Sequence, residues 1–383
     1  MKKNLSLKII IGILISLALA HCKVPYVPPL KPTSTNLLVV EGFIDGAAPV
    51  SFTLSRTRTL SGGDTAARKY ELNAKVLIED DHQNSYPLTE AGNGIYNSPN
   101  ILSLNTTYKY RLHIFTANSE EYLSDLVAFK QSPPIDSINW NFKGNGVQVY
   151  VNTHDPNNLT KYYRWEYTET WEFHSYYSSN FQYDAVTNTV ISRVVPIHIC
   201  WQTDVSTNIF LGSSSNLSNA VNYEMPLAYI EQHDNKISVL YSILVKQYPL
   251  DVKGYNYWLA MKNNTENIGS IFDPQPNETA GNIHCVSNPA ESVVGYVNAG
   301  NSFIERSYIN NNLMPADWNL IPYCPQIVVP NIPDSLKFYF SSLFVPIDAA
   351  GPPAFPPAAY SASEPDCVDC TINGTNVKPS FWP

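Results

Sequence analysis

Apolar and polar positions alternate with period two along most of this chain, a pattern that predicts strands far more often than helices. Leu37-Leu38-Val39-Val40-Glu41-Gly42-Phe43 is strand-like, and residues 74–80 and 108–114 alternate cleanly. Turn residues fall between them at Gly62-Gly63, at residues 81–84 and at Gly92-Asn93-Gly94. Short strands at this spacing predict an Ig-like β-sandwich over residues 36–134. Pro133-Pro134 closes the segment and marks a domain boundary. Beyond it, residues 135–140 and 147–152 are again strand-like. The clearest signal is Tyr163, Trp165, Tyr167, Glu169, Trp171 and Phe173 on one face, with Arg164, Glu166, Thr168, Thr170 and Glu172 on the other. That is a long half-buried strand. Residues 241–247 form another. Asp251 is a helix N-cap candidate, followed by Tyr255, Trp258, Leu259 and Lys262 at helical spacing. Residues 344–366 carry six prolines and little periodicity, and are expected to be a Pro/Ala-rich loop.

At 383 residues, two domains are expected. The fold class is all-β and mainly antiparallel: a sandwich at 36–134, then a larger β-rich domain at 135–383 with one or two short helices.

The chain start changes the picture. Lys2, Lys3 and Lys8 precede an unbroken apolar run over residues 9–20. As a helix that run would rise roughly 18 Å, short of a ~30 Å hydrocarbon core. It has the layout of a signal peptide, residues 1–21, rather than a membrane span. Leu19-Ala20-His21-Cys22 resembles a bacterial lipobox, with His21 where a small residue is usual, so Cys22 is the expected lipidation site and membrane anchor. Residues 22–35, with Pro25, Pro28, Pro29 and Pro32, are expected to be a stiff tether.

The net charge of −9 becomes −12 once the three leader lysines are removed. So acidic a protein is a poor partner for nucleic acid. No second apolar run is long enough to cross a membrane as a helix. Five cysteines remain after Cys22, an odd number in a compartment where disulfides persist. Two bridges and one free thiol are expected, with Cys200, Cys324, Cys367 and Cys370 as the bridge candidates in any of three connectivities. Cys367-Val-Asp-Cys370 lacks the βαβ setting of a redox motif and the second close pair of a zinc site.

Motifs for phosphate cradles, serine nucleophiles, zinc helices and calcium loops are missing. Gly92-Asn93-Gly94 is read as a turn, Gly212-Ser213-Ser214-Ser215 as a loop and Glu79-Asp80-Asp81 as an acidic hairpin end. No catalytic, metal or cofactor residue is expected. Asp64-Thr65-Ala66, Asp136-Ser137-Ile138 and Asp334-Ser335-Leu336 resemble an O-glycosylation acceptor pattern of exported Bacteroidota proteins.

One ordered set of motifs spans almost all of the expected mature chain. It runs from Leu38-Val39-Val40-Glu41-Gly42 through Gly94-Ile95-Tyr96, Tyr108-Lys109-Tyr110-Arg111-Leu112 and Pro134-Ile135-Asp136-Ser137-Ile138 to Tyr162-Tyr163-Arg164-Trp165 and Cys200-Trp201. It continues with Tyr241-Ser242-Ile243-Leu244-Val245-Lys246-Gln247-Tyr248, residues 269–276, Gly281-Asn282-Ile283, the Cys367/Cys370 pair and Pro379-Ser380-Phe381-Trp382. The set resembles the Bacteroidota lipoproteins catalogued as domain of unknown function 4249. The resemblance implies an outer-membrane lipoprotein facing the cell surface, accessory to a TonB-dependent transporter-like β-barrel, with no cofactor and no assigned catalytic residue. Residues 23–26 carry no acid, which leaves the leaflet open. Two further readings stand beside it: a structural or assembly subunit of a larger outer-membrane machine, and a hydrolase of surface polymers built on carboxylates such as Glu166 and Glu172. An aromatic-lined concavity would favour capture, a flat apolar patch assembly, and facing carboxylates catalysis.

Overall fold

The computed structural model describes residues 36–58, 68–266, 281–319 and 322–383. The signal segment, Cys22, the tether, Gly62-Gly63, Asp64-Thr65-Ala66 and residues 269–276 lie outside them.

Nine strands come first: β1 (Leu38–Asp45), β2 (Pro49–Arg56), β3 (Lys69–Tyr70), β4 (Lys75–Asp80), β5 (Ser85–Gly92), β6 (Ile95–Ile101), β7 (Lys109–Phe115), β8 (Glu121–Ser124) and β9 (Val127–Gln131). The middle of the chain adds β10 (Ile135–Lys143), β11 (Gly146–Asp155), β12 (Tyr162–His174), the hairpin β13 (Phe181–Asp184) and β14 (Thr189–Ser192), then β15 (Ile199–Val205), β16 (Phe210–Ser213), β17 (Ala220–Glu231) and β18 (Leu240–Leu250). Helix α1 (Val252–Glu266) and two short strands, β19 (Ile283–Cys285) and β20 (Ala299–Asn301), precede β21 (Phe303–Asn310). Last come β22 (Ile327–Pro330), α2 (Pro333–Phe340), β23 (Val345–Ala350), β24 (Ala359–Ser363) and α3 (Pro365–Val368). The described residues are thus mostly β and mostly antiparallel, with three α-helices rather than one or two.

Residues 36–134 do not stand as a separate sandwich. Their strands build most of a closed sheet, in the order β1-β20-β9-β7-β4-β5-β6-β2 and back to β1. β20 closes the ring by running parallel to both β1 and β9. It comes from residues 299–301, far downstream, which is why local periodicity cannot show it. A Cβ on Gly300 would stand 2.2 Å from the Lys130 carbonyl oxygen, so only glycine fits this approach. Inside lie Leu38, Phe52, Leu54, Ile78, Tyr110 and Leu112, all fully buried. Gly92, Asn93 and Gly94 all have positive φ at the β5–β6 turn, as that motif suggests.

The sandwich forms later in the chain. One sheet is β10-β11-β17; the other is β15-β12-β18-β21, with β16 also paired to β12. Val147, Val149 and Val151 of the first face Tyr163, Trp165 and Tyr241 of the second in one core. The aromatic face of β12 is core, as its alternation indicates. Glu169, the odd member of that face, is buried and accepts from Tyr241 Oη at 2.8 Å and from Lys236 Nζ. Trp165 Nε1 donates to Gln247 Oε1 at 2.8 Å, and Gln247 Nε2 donates to the Pro133 carbonyl at 2.9 Å. A fully buried amide therefore pins the Pro133-Pro134 connection to the sandwich.

Asp251 caps α1, accepting from Gly254 N at 2.6 Å. The expected helix stripe is only partly right: Gly254 and Tyr257 are its buried residues, while Leu259 is exposed. Residues 344–366 depart further from expectation. β23 and β24 pair as a hairpin, β24 is the centre of the β22-β24-β23 sheet, and the longest stretch without regular structure is residues 351–358. Prolines masked the strand pattern, because Pro346 sits at the register shift in β23 and the other prolines lie outside the pairing. Residues Leu37–Pro383 form one compact unit.

Candidate functional site

β1 reaches the seam between the closed sheet and the sandwich. Leu38, Val40 and Ile44 point inward, and Phe43 and Asp45, on the opposite face, are buried as well. They meet the polar face of β12 and its neighbour β18. Cross-strand register places Tyr248 opposite Arg164 and Lys246 opposite Glu166. Phe43 packs edge-on to Tyr248 at 5.0 Å, and Lys246 Nζ lies 3.0 Å from Asp45 Oδ2. Asp45 also accepts from Ala47 N, Ser302 N and Ser302 Oγ, so it anchors the seam.

Between these parts lies a cleft of ≈ 380 Å³ lined by Phe43, Trp165, Tyr248 and Trp258 among the aromatics. Arg164 is its centre. The guanidinium is sandwiched between Tyr248, 4.6 Å from its ring centroid, and Trp258 of α1, at 4.2 Å. Nη1 donates to Glu166 Oε1 at 2.5 Å, and Tyr248 Oη donates to Glu166 Oε2 at 2.8 Å. Burial, then the charge of Glu166, push the Tyr248 hydroxyl well above its ordinary pKa, so it stays a neutral donor. Arg164 Nε is buried and has no hydrogen-bond partner among the described residues. Residues 206–209 roof the cleft, tied down by Ser206 N to the Tyr167 carbonyl and by Lys262 Nζ to the Ile209 carbonyl.

The carboxylates offered by the sequence do not converge. Glu166 and Glu172 lie six residues apart on β12, roughly 20 Å at a strand's rise, well beyond the ~5–9.5 Å of a glycosidase pair. Glu166 is engaged as described. Glu172 accepts from Trp382 Nε1 at 2.8 Å and bonds His174 at 2.9 Å. Trp382 belongs to the C-terminal tail, whose Phe381 ring sits under the Arg306 guanidinium at 3.6 Å. In the acidic hairpin end, Asp80 accepts from His82 N and Asn84 N, and Glu79 from Arg111 and His113. Among the described residues no cluster of His, Cys, Asp and Glu is arranged to hold a metal, and no helix is long and apolar enough to cross a membrane. Ser137 is exposed on β10 and Ser335 half-buried in the first turn of α2.

Cys200 is bonded to Cys370 and Cys324 to Cys367, each pair with Cα atoms 5.7 Å apart, and Cys285 is a buried free thiol. The first bridge lies in the sandwich core; the second ties α3 to the residues before β22.

The model of the family described as domain of unknown function (DUF4249) matches residues 23–306. The chain belongs to this family. The matched span of this DUF4249 protein includes every residue lining the cleft and ends before the Cys324–Cys367 bridge, the β23–β24 hairpin and the tail motif. No curated protein matches. Among solved structures, the chicken interferon gamma receptor alpha chain aligns at 9% identity over 56% of this chain and 91% of that chain, with a TM-score of 0.15, too low to bear on the fold.

Period-two spacing puts Arg164 and Glu166 on a polar strand face, and Lys246 and Tyr248 in another strand motif, but spacing alone does not show that they meet. Register between β12 and β18, and the docking of β1 across both, carry no local signature.

Proposed function

We propose that this DUF4249 protein is a lipid-anchored ligand-capture subunit at the outer membrane, serving a β-barrel of the TonB-dependent transporter kind. The observation that carries the reading is the cleft, an aromatic-lined concavity at the seam of two layers, which suits capture better than catalysis or flat assembly. The exported-lipoprotein layout of residues 1–35 supports the address, and two bridges fit an oxidising compartment. The twelve tether residues from Val24 to Thr35, if extended, would reach roughly 37 Å at ~3.1 Å each. Such confinement raises the effective concentration of a membrane partner. The test is affinity purification of the tagged protein from detergent-solubilised outer membrane. The wild type is expected to bring down a β-barrel, and Cys22→Ser to leave the membrane fraction and lose it. Recovery of the lipoprotein alone would sink the partnership.

A structural or assembly role is favoured by a different observation. Phe355 is 100% exposed at the hairpin tip, among Pro352, Pro353, Pro356 and Pro357. A stiff apolar prong of this kind suits insertion into a partner's pocket. Deleting residues 346–364 would remove β23 and β24 from their sheet, so Phe355→Ser is the cleaner probe. It should lower barrel recovery about tenfold and leave Tm unchanged, as a surface change does. Undiminished recovery would clear the tip of the role.

A further inference from the structure

We infer that the cleft takes a small polar molecule carrying a carboxylate, held on the unpaired edge of the Arg164 guanidinium; this rests on the capture reading above. Arginine offers five N–H donors in a planar fork. Here one acceptor, Glu166, takes Nη1, and the buried Nε has nothing. An unmatched buried donor is costly, more so when charged, and a ligand oxygen placed on it removes that cost. The rings of Tyr248 and Trp258 both pack on the guanidinium. The unpaired edge, Nε with its neighbouring Nη, matches the two oxygens of a carboxylate in a bidentate pair.

The rest of the cleft sets the class. Lys246, its side chain 30% exposed, supplies a second cation. Three acids also line the cleft, and each is already matched: Glu41 by Arg68, Asp45 by Lys246 and Ser302, Glu166 by Arg164 and Tyr248. With each acid matched, a monoanion meets little residual repulsion, and a phosphate dianion meets about twice as much. Ser51, Thr207 and Asn208 share the lining and suit a hydroxylated or amide-bearing body. The volume sits near the lower end of the roughly 300–1,000 Å³ of ligand pockets, which favours a small molecule. Because Nε is buried, a ligand on this edge shifts a neighbouring side chain, and Trp258, the half-buried member of the pair, is the one placed to move.

Calorimetric and tryptophan-fluorescence titrations of the detergent-purified full chain test this. The probes are galacturonate and glutamate, their neutral counterparts galactose and glutamine, and inorganic phosphate. At least one acid should bind about tenfold or more tightly than its neutral counterpart and than phosphate. Arg164→Lys, which keeps the charge and loses the fork, should weaken it about tenfold, and Lys246→Met by a smaller factor. Trp258→Phe should abolish the fluorescence change while binding heat persists. No binding of either acid at millimolar concentration, equal binding of the neutral partner, tighter binding of phosphate, or unaltered binding by a folded Arg164→Lys chain would each overturn the inference. The lipoprotein is titrated alone, so the two readings fail separately. A recovered barrel without carboxylate binding overturns this inference only; carboxylate binding without a barrel overturns the partnership only.

Discussion

A variant with Cys200 and Cys370 both replaced by alanine is expected to unfold with about 4–5 kcal/mol less free energy than the wild type. The bridge closes 170 residues of chain, and in the chain-entropy account a loop of that length is worth about 5 kcal/mol. The Cys324–Cys367 bridge closes 43 residues, for which the same account gives about 4 kcal/mol. Both cysteines of the longer bridge are buried in the sandwich core, so alanine there also leaves a small void. Urea unfolding of the two double-alanine variants measures both numbers. A loss under about 1 kcal/mol for the Cys200/Cys370 pair would mean that its unfolded chain is scarcely freer without the bond. Exposure orders the chemistry as well. Cys324 is half-buried and its three fellow bridge cysteines are buried, so dithiothreitol should open Cys324–Cys367 first. Timed alkylation and peptide mass spectrometry would read the order, and Cys285 should stay unlabelled until the chain unfolds.

The strands were readable wherever one face is wet and the other dry. β4, β7 and β12 keep their alternation because each has a core face and an opposite face carrying polar side chains such as Glu79, Arg111 and Glu166. β1 reads less cleanly, because Phe43 and Asp45 are buried on the face that would otherwise be wet. That loss of alternation marks the place where the two layers meet. The closed sheet was not readable at all. It depends on Ala299-Gly300-Asn301, three small residues with no pattern, held parallel between strands more than 160 residues earlier. Position of the sandwich was misjudged for a related reason: turn spacing reports strands, and how a sheet closes is decided by partners distant in the chain.

The cleft was legible only as fragments. Motif spacing suits chemistry that lies within one loop or one helix, and nothing here does. Arg164 and Glu166 come from β12, Lys246 and Tyr248 from β18, Phe43 and Asp45 from β1, and Trp258 from α1. The partial signal was the N-cap at Asp251 with Trp258 and Lys262 on the same helix face, since both side chains do reach the cleft region. Equally, Glu166 and Glu172 looked alike on the strand and prove to serve two structural networks, one at the seam and one at the C-terminal tail.

Arg56→Met is expected to destabilise the closed sheet by about 3–5 kcal/mol. Arg56 ends β2 with its side chain 5% exposed, and its guanidinium meets Glu71 at 2.6 Å, Glu120 at 3.0 Å and Glu291 at 3.4 Å. Tyr122 Oη lies in the same cluster and donates to Glu291 at 2.8 Å. Burial works against the Arg56 charge, but the hydrogen bonds with Glu71 and Tyr122 outweigh it and hold the guanidinium above its ordinary pKa. Taking the cation away leaves three carboxylates with no other ion pair among the described residues, two of them nearly enclosed. Glu120 is 37% exposed and can turn to water, so most of the cost falls on Glu71 and Glu291. The contacts also join residues 235 apart, tying the segment after β19 to β2. Charge, rather than shape, sets this loss, and a second variant isolates it. Adding Glu71→Gln and Glu291→Gln to Arg56→Met removes the uncompensated acids and should recover about half of the loss. Chemical denaturation of the wild type, the single and the triple variant measures all three. A triple variant no more stable than Arg56→Met would show that lost packing of the arginine stem, not the stranded carboxylates, accounts for the effect.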